Sequence, residues 1–116
     1  MDAQPPDWVR DEHTWRKDRL LVVNRSLDYL EGRAGLIEVS RDLCACAARL
    51  RADRDPDFLL FRAIDSETDH LPIGKFREGW AADSLLIKDQ EIRSVEEFYR
   101  SNATAAAKKL VEKYSG

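Results

Sequence analysis

The chain has 116 residues, 43% of them apolar and 35% charged, with a formal net charge of −3. That length is the size of one domain, large enough to build a core without a metal or disulfide staple. The near-neutral charge excludes a global basic field for nucleic acid, and no apolar run approaches the ~20 residues that a membrane helix needs.

Residues 1–6, with Pro5 and Pro6, read as a disordered lead, and residues 7–116 as a single helical domain. Asp7 is placed to cap a first helical segment in which Trp8 and Trp15, seven apart, share a face. Leu20 to Val23 contains β-branched residues that suit a strand as well as a helix. Helical spacing nevertheless continues through Leu20, Leu27, Leu30, Ala34, Ile37, Cys44 and Ala48, so a helix is predicted to about Arg51. One long helix or two collinear ones fit this pattern. Glu31-Gly32-Arg33-Ala34-Gly35 is the place for a break, since each interior glycine costs about 1 kcal/mol relative to alanine.

Asp55-Pro56-Asp57-Phe58 reads as a helix start, with Asp55 at the N-cap and Pro56 at the first helical position. Phe58, Phe61 and Ile64 supply one apolar face, and the helix is expected to end near Asp65. Leu71-Pro72-Ile73-Gly74 is loop-like, followed by two turns carrying Phe76 and Trp80. Asp83 is predicted to cap a last helix reaching Tyr114, on the spacing of Leu85, Ile92, Tyr99, Ala106, Leu110 and Tyr114. About thirty residues at 1.5 Å each make a rod of roughly 45 Å. The predicted fold is all-α and bundle-like: two long antiparallel helical rods, the first with a break near Gly32–Gly35, joined by short helices. Gly32 and Gly35 against Ala103, Ala105, Ala106 and Ala107 suit a close helix crossing; plain helix propensity explains the alanines equally well.

Charge is unevenly placed. Residues 1–54 carry ten acids and ten bases, residues 55–69 five acids against Arg62 alone, and residues 70–116 seven acids and eight bases. The excess lies around Ile64-Asp65-Ser66-Glu67-Thr68-Asp69-His70-Leu71-Pro72. Alternating oxygens from Asp65, Glu67 and Asp69 suit a hard cation such as Mg²⁺ or Ca²⁺. There is no turn glycine and no bidentate glutamate at EF-hand distance, however, and Ser, Thr and Asp side chains also serve helix ends and turns. An architectural knot is the expectation.

This box, together with Gly35-Leu36-Ile37-Glu38, Ser40-Arg41, Asp55-Pro56-Asp57-Phe58, Trp80, Asp89-x-Glu91-Ile92 and Tyr99-Arg100, resembles a group of small uncharacterised bacterial proteins. The resemblance covers roughly residues 27 to 114. It implies an all-helical bacterial protein and transfers no activity.

Other motifs are weak. Cys44-x-Cys46 has no second ligand pair at zinc spacing, and two cysteines two apart on a helix cannot bridge each other. With no export segment, these free thiols predict a reducing, cytoplasmic location. His13 and His70 are far apart in sequence, Ser66 has no nucleophile elbow, and phosphate-loop and dinucleotide fingerprints are missing, so no cofactor is expected. Arg49, Arg51 and Arg54 are interleaved with Asp53 and Asp55, as on a solvated helix end.

The function expected first is therefore a small binding protein that presents acid to a basic protein partner, a toxin-immunity inhibitor of a nuclease being one concrete form. Asp57, Arg62, Asp65, Glu67, Asp69 and His70 are its candidate contacts. A structural homo-oligomer is the alternative. A metal-dependent enzyme using Asp65, Glu67, Asp69 and His70 is the second alternative. Neither a nucleic acid nor a membrane is an expected partner.

Overall fold

A computed structural model describes residues 3–116, and among these no residue lies in a strand. The first helix, α1 (Glu12–Leu30), is started by Asp11 rather than Asp7. Asp11 accepts from the Thr14 backbone N–H at 3.1 Å and from the Thr14 hydroxyl at 2.7 Å. Asp7 stands outside, in a turn. The buried line of α1 is Trp15, Asp18, Val22 and Ser26. The predicted line through Leu20 is thus displaced, and Leu20 is 59% exposed. At 100° per residue, Leu20 lies about 200° from Val22. Both phases are helical, and burying the large Trp15 ring fixes which one faces inward.

The predicted break is present, and it is a reversal rather than a kink between collinear helices. Gly32, at φ +76°, follows the end of α1. Its N–H donates to the Tyr29 carbonyl at 3.1 Å, and the Arg33 N–H to the Asp28 carbonyl at 2.8 Å. These two bonds form a Schellman motif, which satisfies carbonyls that the helix end would leave open. Gly35 then opens α2 (Leu36–Arg49). Asp18 pairs with Arg49 at 2.9 Å and Arg25 with Asp42 at 2.8 Å, so early α1 meets late α2 and the two helices are antiparallel.

A second Schellman motif ends α2. The Arg51 N–H donates to the Ala48 carbonyl and the Ala52 N–H to the Ala47 carbonyl. Here a non-glycine, Arg51, takes the left-handed position at φ +53°. Its guanidinium lies 4.6 Å from the Trp8 ring centroid, a cation–π contact set against that strain.

The third helix, α3 (Pro56–Thr68), begins as predicted: Asp55 accepts from the Asp57 N–H at 2.9 Å, with Pro56 in the first turn. Phe58, Phe61 and Ile64 are all buried. The helix runs nearly a turn beyond the predicted end at Asp65. The apolar line continues into Thr68, whose hydroxyl donates to the Ile64 carbonyl at 2.6 Å, and then into buried Leu71.

A 3-10 turn spans Gly74–Gly79, and α4 covers Ala82–Tyr114. Asp83 belongs to the first turn of α4; Ala81 is at the N-cap and makes no side-chain cap. The 33 residues of α4 correspond to about 50 Å, matching the molecule's longest dimension of 51 Å. Its C-terminal end meets the start of α1, where the Arg19 guanidinium sits 4.8 Å from the Tyr114 ring centroid. Nearby, the Ala3 N–H donates to the Gly116 carbonyl at 2.6 Å. The same end meets the start of α3, where Lys113 pairs with Asp55 at 2.7 Å. Each helix therefore runs antiparallel to its sequence neighbour, and α4 returns antiparallel to α1, giving an up-down-up-down bundle.

The three shorter helices cover only part of α4. Its buried residues are Ala103, Ala106, Ala107 and Leu110, all in the second half. Small side chains there admit the neighbouring helices, while Ala105 faces solvent. The glycines take no part in a close crossing, because a Cβ added at Gly32 or Gly35 would meet nothing within 4 Å. The first half of α4 overhangs the bundle, flanked by the 3-10 turn. Arg77 of that turn holds Asp89 through two bonds, at 2.6 and 3.0 Å.

Candidate functional site

The acidic box straddles the end of α3, and helical geometry decides what it can do. Residues two apart on a helix point about 200° apart, so Asp65 and Glu67 diverge. Ile64, Thr68, Leu71 and Pro72 turn inward while the charged side chains radiate to different neighbours. Among the described residues, no three His, Cys, Asp or Glu side chains converge as a cation site. The metal-enzyme alternative therefore has no geometric basis in Asp65, Glu67, Asp69 and His70.

Most of the predicted contact residues are engaged within the chain. Asp57 is largely covered, its side chain 15% exposed and 3.3 Å from the Lys113 ammonium. Lys113 bridges Asp55 and Asp57, and this pairing, with Asp55 foremost, raises its pKa above the usual lysine value. Asp65 lies 3.7 Å from the Arg41 guanidinium. Arg41 also donates to the Thr68 and Leu71 carbonyls at 2.9 and 3.3 Å, so one arginine of α2 closes the end of α3. Neither Asp65 nor Ser66 caps a helix: Asp69 occupies the C-cap position.

Glu67 accepts from the Tyr99 hydroxyl at 2.6 Å, which raises the phenol's pKa. His70 Nε2 is 3.1 Å from a Glu91 carboxylate oxygen, and Lys88 is 3.2 Å from the other. His70 first and Lys88 second hold the Glu91 carboxyl below its ordinary value. Asp69 is left with an exposed side chain near His70 Nδ1, at 3.9 Å. Arg62 is exposed and has no ion-pair partner among the described residues. The structure thus scatters the six predicted contacts. Asp57 sits at one end of α3 against α4, Asp65 faces α2, and Glu67 and His70 are tied to α4.

A different stretch of the chain concentrates exposed apolar side chains. Of the eight large apolar residues exposed among the described residues, five lie between residues 76 and 98: Phe76, Trp80, Leu86, Ile87 and Phe98. They belong to the 3-10 turn and the overhanging half of α4. Sequence reading placed Phe76 and Trp80 on the turns before α4 but passed over Leu86, Ile87 and Phe98, because it followed one periodic series in α4, Leu85–Ile92–Tyr99, which does turn toward the bundle. A second series, Ile87 and Phe98 eleven apart, lies out of phase with the first and is the signal for an outer apolar face.

The cysteines have no reactive setting. Burial pushes both thiols up to about 11, and both are free. His13 is exposed in the first turn of α1, remote from His70. No helix of the described residues is long and apolar enough to cross a membrane. Comparison with protein families, curated proteins and solved structures gave no match.

Proposed function

We propose that this protein is a small non-catalytic binding module. It docks a protein partner on the 3-10 turn and the first turns of α4, with acids around an apolar centre. The carrying observation is the exposure of Phe76, Trp80 and Leu86 within eleven residues of chain. A monomer rarely leaves such side chains grouped unless they meet something. Exposed Asp69, Glu78 and Asp83 lie on the chain around them, against exposed Lys75 and the committed Arg77. That balance favours a basic partner, such as a nuclease toxin blocked by a bacterial cytoplasmic immunity protein. Compared with the sequence reading, the contact moves from the whole box toward its Asp69 end, because Asp57, Asp65 and Glu67 already have partners within the chain.

Affinity capture from the source cell's extract tests this reading, with wild type compared to a Phe76→Ser/Trp80→Ser variant of unchanged helical content. A partner retained by wild type, released by salt and lost from the variant is expected. Equal retention by both would refute the surface.

A further inference from the structure

A groove of about 400 Å³ runs between the end of α3 and the first half of α4. Glu67, Leu71, Ile87, Gln90, Ser94 and Val95 line it, with His70 and Glu91 at the crossing of the two helices. Its apolar lining is graded. Leu71 is buried and Val95 half-buried, while Ile87 stands 61% exposed. Such a lining suits an aliphatic chain rather than a water-filled cleft.

The two carboxylates of the groove differ in how they are matched. Glu91 has a donor group at each oxygen, His70 at one and Lys88 at the other. Glu67 accepts from the Tyr99 hydroxyl through one oxygen only. A phenol is neutral, so this bond orients Glu67 without cancelling its charge. Asp57 and Asp65, by contrast, face the cations Lys113 and Arg41. Among the described residues Glu67 has no ion-pair partner, and apart from His70 the groove is lined by no basic side chain. Gln90 and Ser94 add neutral acceptors on α4. The Ser94 hydroxyl donates to the Gln90 backbone carbonyl at 3.0 Å and keeps its own lone pairs.

An apolar lining with one uncompensated carboxylate matches an aliphatic stem that ends in a cation. Two protein side chains have that form. Arginine is favoured where a carboxylate offers both oxygens to its planar fork, and Glu67 has one oxygen committed to Tyr99. The ammonium of lysine is a compact point charge and needs no such pair. We infer that the groove takes a lysine side chain of the basic protein partner, its stem along Leu71, Val95 and Ile87 and its ammonium at Glu67. This rests on the docking reading for the existence of that partner, and it names one anchor of the contact.

The probe is Nα-acetyl-lysine N-methylamide, titrated into the full chain at low salt and followed by the NMR methyl signals of Leu71, Ile87 and Val95. Saturable shifts with a millimolar dissociation constant are expected for a single side chain. The norleucine analogue has the stem without the charge and should bind about tenfold more weakly or worse. The arginine analogue should also bind more weakly than lysine. Glu67→Gln keeps an acceptor for Tyr99 and should abolish the preference for lysine over norleucine. Phe76→Ser/Trp80→Ser should bind the probe as wild type does, because neither side chain lines the groove. Unmoved methyl signals, equal binding of the norleucine or arginine analogue, or a Glu67→Gln variant that still prefers lysine would each overturn the inference. A captured partner held by Glu67→Gln as firmly as by wild type would overturn it too, and would leave the docking reading standing. Equal retention by Phe76→Ser/Trp80→Ser would instead sink the docking reading, and with it the partner to which the lysine is assigned.

Discussion

Phe61 sits midway along α3 with 0% exposure, and replacing it with alanine tests the packing directly. A phenylalanine side chain buries on the order of 150–250 Å². At about 25 cal/mol per Å², that is roughly 4–6 kcal/mol of transfer free energy. Alanine's better helix propensity returns about 0.5 kcal/mol. The net loss, about 4 kcal/mol, lies inside the ~3–5 kcal/mol range for buried Phe→Ala changes. Against a total stability of roughly 5–15 kcal/mol, the variant should be badly weakened. Urea unfolding followed by circular dichroism, at one fixed protein concentration, reads the effect. With a slope near ~1.5 kcal/mol per M, the midpoint should fall by about 2.5 M. Phe76→Ala, at 69% exposure, is the control and should stay within about 0.5 kcal/mol. Should Phe61→Ala fail to fold, Phe61→Leu keeps the comparison measurable. The packing described here is refuted if the Phe61 substitutions cost no more than Phe76→Ala.

Three further outcomes follow from the site. Cys44 and Cys46, with pKa values of about 11, should react with iodoacetamide at pH 8 far more slowly than an unfolded thiol; fast labelling of native protein would contradict their burial. Asp89 is held below the usual carboxylate range by Arg77, and Glu91 by His70 and then Lys88. A lowered folded pKa means that their stabilisation is present above the unfolded carboxylate value, about 4, and is lost as pH falls through the folded values. The melting temperature should therefore drop more steeply with acid in wild type than in Asp89→Asn/Glu91→Gln, and parallel profiles would refute these ties. Asp65→Ala should cost under about 1 kcal/mol, because its contact with Arg41 is a long, partly exposed ion pair rather than a helix cap; a melt showing a larger loss would mean that Asp65 does more than meet Arg41.

What was legible in the sequence were the features written in local chemistry. Asp55-Pro56 marked the start of α3, and Phe58–Phe61–Ile64 marked its buried face. Glu31–Gly35 marked a break because two glycines in five residues fit no helix interior. The direction of the chain after that break was not legible. A helical period says which residues share a face, not whether the next helix continues or folds back. The reversal becomes visible only through pairs such as Asp18–Arg49 and Arg25–Asp42, which periodicity does not connect. Arg51 hid the second reversal for a related reason: its left-handed backbone belongs to a residue type that signals no turn. The box was legible as over-specified. Its ties to Tyr99 and Glu91 depend on the register between α3 and α4, which no local pattern encodes.

The glycines of the first reversal offer a test in which two similar residues should respond oppositely. Gly32 has φ +76° and nothing within 4 Å of an added Cβ, so a substitution meets no steric neighbour and only the backbone objects. An alanine held in that left-handed conformation costs roughly 1–2 kcal/mol. Gly32→Ala should thus lower the melting temperature by several degrees for a domain of this size. Gly35 has φ −74° and ψ 156°, an extended conformation open to any residue, and makes no side-chain cap at the start of α2. Serine there loses less chain entropy on folding than glycine, and its hydroxyl can accept from a free N–H of the first turn. Gly35→Ser should therefore raise stability by a few tenths to about 1 kcal/mol. If the two glycines were instead matched contacts of a close helix crossing, both substitutions would destabilise together. Opposite shifts in thermal melts of the two variants are the expected result, and a shared loss would refute the open, extended setting of Gly35.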